Sequence, residues 1–130
     1  MFFRFNAYAI VWMLGMLWVA CLSKANIQPI LLVGGFGVAE IGHILQFVVL
    51  VLLWMLGIRK QHQFTFLHYN HAGTRYVLIG AFLFALLLEL IKIPIPYVHF
   101  SSLGIVLNLV GAILGALLFS WLYRLPLRFW

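Results

Sequence analysis

Long stretches without a charged residue alternate with short polar connections along this chain. Two uncharged runs of 18 residues, 5–22 and 41–58, are long enough to cross about 30 Å of hydrocarbon. Two further apolar segments, 76–91 and 103–123, complete a set of four candidate spans. None of them alternates with period two, and in lipid each segment must pair its own backbone groups, so helices are expected rather than strands. The pattern predicts an all-α fold: a four-helix integral membrane bundle forming a single domain over residues 1–130. The third span, about 16 residues or ~24 Å, is short and calls for a thin spot or support from its neighbours. Residues 26–39 carry Gly34, Gly35 and Gly37, a poor helix-forming set, and read as an interfacial or re-entrant connection that feeds the second helix near Glu40. The 17 residues of 59–75 read as the one sizeable aqueous loop.

Composition supports this reading and excludes others. Hydrophobic residues make up 66% of the chain and only ten residues are charged, eight Lys/Arg and two Asp/Glu, where a soluble domain of this size carries roughly 30. A mean hydropathy of +1.15 leaves no room for a water-soluble catalytic domain. Cys21 is the sole cysteine, so neither an internal disulfide nor a Cys-based metal site can form. The net charge of +6 is spread singly over the ends of apolar runs. That distribution suits lipid headgroups and not nucleic acid. Four crossings put Arg4, Arg59, Lys60, Arg75, Arg124 and Arg128 on one side and Lys24 and Lys92 on the other, which predicts both termini in the cytoplasm of a bacterial inner membrane. Tyr8, Trp54, Tyr76, Trp121 and Tyr123 then fall near the inner boundary, and Trp18 and Tyr97 near the outer one, as interfacial anchors. The first run has a single preceding Arg4 and a Trp18 where a signal peptide would carry a small aliphatic residue, so it is read as a retained span.

The chemistry concentrates on one side. The only acidic residues, Glu40 and Glu89, both fall at the outer level: one opens the second helix and the other lies in the last turn of the third. His43 follows Glu40 at i,i+3, Asn108 lies about five residues into the fourth helix, and Lys92 and His99 sit in or beside the outer connection. Ionisable groups within a membrane usually mark a site, a partner or a pathway. Glu40, His43, Glu89, Lys92, His99 and Asn108 are therefore the candidate ligand-binding set. A purely structural account stays open: Glu89 and Lys92 are spaced to pair, Glu40 is placed to cap or snorkel, and an asparagine serves equally as interhelical glue. Gly104, Gly111 and Gly115 share a face of the fourth helix with Asn108 and predict a close packing seam. On the inner side His62, His68 and His71 accompany Arg59, Lys60 and Arg75, which reads as a basic loop against anionic lipid rather than a metal site. No nucleotide-binding glycine loop, serine-nucleophile motif or zinc-protease helix occurs, so neither a metal nor a cofactor is expected.

Glu89-Leu-Ile-Lys92, the Pro-containing connection with His99, and Asn108-Leu-Val-Gly111-Ala-Ile-Leu-Gly115 together resemble the second half of VanZ-like membrane proteins. Glu40-Ile-Gly-His43-Ile-Leu-Gln-Phe47 resembles that family's Asp-Lys-x-x-His-Phe approach to its second helix. His43, Glu89, Asn108, Gly111 and Gly115 match the pattern. Ala39 and Glu40 stand where the family has Asp and Lys, Lys92 where it has Gln, His99 in place of a loop Arg, and Gly104 where it has Asp. The resemblance implies a divergent member associated with the bacterial envelope and with altered susceptibility to teicoplanin-type glycopeptides, and it brings no established reaction. The leading expectation is a small inner-membrane protein whose outer Glu/His/Asn cluster binds an envelope lipid or precursor headgroup. The alternative is an accessory subunit that packs on partner subunits of a larger membrane complex. An enzyme or proton-coupled carrier ranks third, because no nucleophile is identifiable.

Overall fold

A computed structural model describes residues 2–22, 31–33, 36–65, 72–94 and 100–124. It is built from four helices, α1 (Phe2–Leu22), α2 (Val38–Thr65), α3 (Ala72–Lys92) and α4 (Ser102–Arg124), with a two-stranded hairpin, β1 (Leu31–Val33) and β2 (Phe36–Gly37), leading into α2. All four helices contain stretches long and apolar enough to cross a membrane: Arg4–Cys21, Glu40–Gln61, Gly73–Lys92 and Ser102–Leu122.

Two expectations need correcting, and a third gains detail. The third helix is not a short span. It runs 21 residues, about 31 Å at 1.5 Å per residue, because Gly73, Thr74 and Arg75 join it despite their polarity. The second helix continues through Arg59 to Thr65, so only residues 66–71 connect it to α3 and the 17-residue loop does not exist as drawn. Finally, residues 31–37 include an antiparallel pair, Leu31 opposite Gly37 and Val33 opposite Phe36, and α2 starts just after it at Val38.

Helix ends follow local chemistry. At the end of α3, the Ile93 amide donates to the Leu90 carbonyl at 3.1 Å, and Pro94, with no N–H, cannot extend the ladder. At the start of α4, Ser101 Oγ accepts from the Gly104 amide at 3.1 Å while the Ser101 carbonyl accepts from Ile105 at 3.4 Å, the geometry of a serine N-cap.

The most extensive packing joins α2 to α4, and α2 also contacts α1 and α3. The α2–α4 pair is parallel: Asn108 meets His43, Gly111 lies on Ile44 and Phe47, and Gly115 lies on Val48 and Val51, advancing along both helices together. Glycine is required at both seam positions. A Cβ at Gly115 would sit 2.9 Å from the Val48 carbonyl oxygen, and one at Gly111 would run into the Ile44 backbone. Phe47, Leu50, Val51 and Met55 of α2 bury against Val77, Ala81, Phe84 and Ala85 of α3 and Ala112, Ala116 and Phe119 of α4. The Phe47 and Phe84 rings pack with centroids 6.2 Å apart. Asn6 of α1 is buried against Gly57 of α2, a polar contact at the opposite end that the sequence reading did not single out.

The outer surface is apolar like the core, and the core encloses a few polar groups. Asn6, Glu89 and Asn108 are at most 1% exposed, whereas Leu14, Leu83, Leu117 and Trp121 are each about 60% exposed. Such a surface is what hydrocarbon accepts and water does not.

Replacing Gly111 with alanine should lower the detergent Tm clearly, because the methyl group meets rigid α2 backbone and overpacking of this kind costs about 1–3 kcal/mol. Gly15→Ala on α1, where an added Cβ meets nothing within 4 Å, should leave the Tm unchanged or slightly raised. Thermal unfolding of the two variants side by side makes the comparison.

Candidate functional site

Four of the six candidate residues fall into two bonded groups at the end of the bundle where the hairpin lies. In the first, the His43 ring on α2 reaches across to Asn108 on α4, with Nδ1 to Oδ1 at 3.1 Å. Read with Nδ1–H as the donor, Asn108 Oδ1 accepts and His43 Nε2 is left as an acceptor. Asn108 is fully buried, and its Nδ2 has no acceptor among the described residues. A buried amide donor without a partner costs about 1–3 kcal/mol, so this atom is the most demanding polar group of the cluster.

The second group ties α3 to the start of α4. Glu89 is fully buried and its carboxylate serves two helices at once: Oε1 accepts from Lys92 Nζ, and Oε2 accepts from the Ser101 amide at 3.1 Å. Lys92 lies one turn further along α3, where its amine is nearly enclosed. Gly104 makes the arrangement possible, since a Cβ there would stand 2.9 Å from Glu89 Oε1. A carboxylate at the first turn of α4 also faces the positive end of that helix dipole. Glu89 and Lys92 therefore form the pair that their spacing allowed, and the pair does more than neutralise charge: it fastens the α3–α4 corner.

Electrostatics link the two groups. The charges of Lys92, Glu89 and Glu40 all act on the His43 ring. Glu40 is half-buried in the first turn of α2 and makes no hydrogen bond or ion pair among the described residues. His43 is likewise half-buried, so this face of the cluster is the accessible one, while Glu89 and Asn108 lie behind it.

His99 lies outside the described residues, as do Lys24, His68 and His71 and the side chain of His62. Among the described residues no group of three His, Cys, Asp or Glu could hold a metal ion. The sequence reading missed Ser101, although a Ser-Ser pair directly before an apolar run is an N-cap signal. It also passed over Gln46, which lines a groove of about 360 Å³ between α1 and α2 together with Val11, Trp12, Gly15, Met16 and Val19. There Trp12 Nε1 donates to the main-chain carbonyl of Gln46 at 3.1 Å.

Comparison of the chain with family models, with curated proteins and with solved structures finds no match.

Glu89→Gln removes the charge that accompanies a nearly enclosed ammonium, and breaking a buried pair from one side costs about 3–5 kcal/mol. Adding Lys92→Met to Glu89→Gln should restore a large part of that loss. Unfolding of the two single variants and the double variant gives the coupling directly, and additive losses would show that the two groups act independently.

Proposed function

We propose that this chain is a multi-pass protein of a bacterial inner membrane, VanZ-like in kind, whose Glu40–His43–Asn108 cluster holds the polar headgroup of an envelope lipid or lipid-linked precursor. In this reading both termini face the cytoplasm, where Arg4, Arg59, Lys60, Arg75, Arg124 and Arg128 lie, and the hairpin end faces outward. The observation that carries it is the combination of an enclosed Asn108 amide donor with no acceptor among the described residues and two half-buried groups, Glu40 and His43, on the open side of the cluster. A purely structural knot would spend its polar atoms internally, as Glu89, Lys92 and Ser101 do. Here the remaining hydrogen-bonding capacity lies at the depth where lipid headgroups begin.

The groove beside Gln46 favours a second reading, an accessory subunit. A groove that a glutamine lines offers a partner helix a polar residue to bond, and Gly15 leaves room for a close backbone. Native sizing in mild detergent separates the readings: a stoichiometric complex with other membrane chains supports the subunit, and a protomer or simple homo-oligomer of the 14.9 kDa chain opposes it.

For the headgroup reading, protein extracted from an inner-membrane lipid mixture should retain lipid, seen by native mass spectrometry. His43→Ala should reduce that retention about fivefold, the equivalent of one hydrogen bond of about 1 kcal/mol, in protein assayed well below its Tm, which falls because buried Asn108 loses its partner. Equal retention by both proteins contradicts the proposal.

A further inference from the structure

We infer that the accessible face of this cluster selects a headgroup bearing a primary ammonium, an inference that rests on the headgroup reading above and names its ligand class. The argument is an account of which donors and acceptors are already spent. The charge of Glu89 is matched by Lys92, and its second oxygen is taken by the Ser101 amide. His43 Nδ1 and Asn108 Oδ1 are bonded to each other. What remains at the accessible face is the Glu40 carboxylate, which has no ion-pair partner among the described residues, and the Nε2 acceptor of His43 one turn along the same helix. Both are acceptors, and among the described residues no cation pairs with the Glu40 carboxylate.

A group complementary to two acceptors and a negative charge must be a cation with several N–H donors. A primary ammonium has three. A terminal phosphate would set an anion against Glu40, a glycerol offers hydroxyl donors without a matching positive charge, and a trimethylammonium group has no N–H to donate. Among the described residues Asn108 Nδ2 is a buried amide donor without an acceptor; it lies enclosed behind His43 and calls for an oxygen acceptor deeper in the site, while the remaining N–H donors of Lys92 stay beside the Glu89 carboxylate. An ethanolamine-type headgroup, with an ester oxygen two carbons from its ammonium, presents the amine outward and the oxygen inward as this pattern requires.

The test titrates the full chain in detergent with phosphatidylethanolamine, phosphatidylcholine and phosphatidylglycerol of identical acyl chains, with affinity read by native mass spectrometry. Soluble phosphoethanolamine serves as competitor. The expected result is about tenfold preference for phosphatidylethanolamine over both other lipids, since one charge-assisted hydrogen bond in this setting amounts to about a factor of ten. Glu40→Gln should abolish that preference while the lipid-free Tm stays unchanged, and Glu40→Asp should retain part of it. Competition by soluble phosphoethanolamine supports the amine chemistry and assigns it to the headgroup rather than the chains. A preference for phosphatidylglycerol, or a phosphatidylethanolamine preference that survives Glu40→Gln, overturns the amine assignment and leaves the headgroup reading standing. Indifference to all three lipids, together with no effect of His43→Ala, removes both.

Discussion

The approach of α4 to α2 across Gly111 and Gly115 is the constraint on which the polar end of this molecule depends. Those two positions leave no room for a Cβ against the α2 backbone, so the helices meet main chain to main chain. Once that distance and the parallel direction are set, Asn108, one turn before Gly111, can only lie beside His43. Without the seam the Asn108 amide would be stranded in an apolar interior, where an unpartnered polar group is expensive. Packing therefore comes first here, and polar chemistry follows from it.

A second fastening joins α3 to the start of α4. Glu89 holds the last turn of α3 to the first turn of α4 through Lys92, Ser101 and the space left by Gly104. The two fastenings share α4, which carries Gly104, Asn108, Gly111 and Gly115 along one face. This helix converts a small-residue stripe into a ruler. Its first glycine admits a carboxylate, and its last two admit a neighbouring backbone. Glu40 and His43 stand half-buried at the open edge of this arrangement, with His43 tied to Asn108 behind it.

Much of this was legible in the chain, for physical reasons that differ from element to element. The four helices follow from apolar length alone, since a bilayer-length run permits little else. The Glu89–Lys92 pair follows from i,i+3 spacing. The glycine stripe announced a close contact, but spacing on one helix does not say which neighbour it meets. The partnership of α4 with α2, parallel and not consecutive, is visible only in three dimensions. Helix ends were the weakest reading. Apolar runs mark the hydrocarbon, whereas α2 and α3 continue into polar residues such as Arg59 and Thr74, where backbone hydrogen bonds carry on after the hydropathy signal has ended. The hairpin was missed although Gly34-Gly35 between two short apolar runs is a turn signal, because two- and three-residue strands give periodicity no length to register. Ser101 was overlooked since its role depends on Glu89, twelve residues earlier in the chain.

The most direct measurement is oxidative cross-linking of paired cysteines with Cys21 replaced by serine. His43→Cys with Asn108→Cys should form an intramolecular disulfide readily, and His43→Cys with Phe119→Cys, three turns further along α4, should not. Cross-linking of the second pair, or failure of the first in folded protein, would show that α2 and α4 do not run side by side in the same direction, and the cluster built on their contact would have no basis.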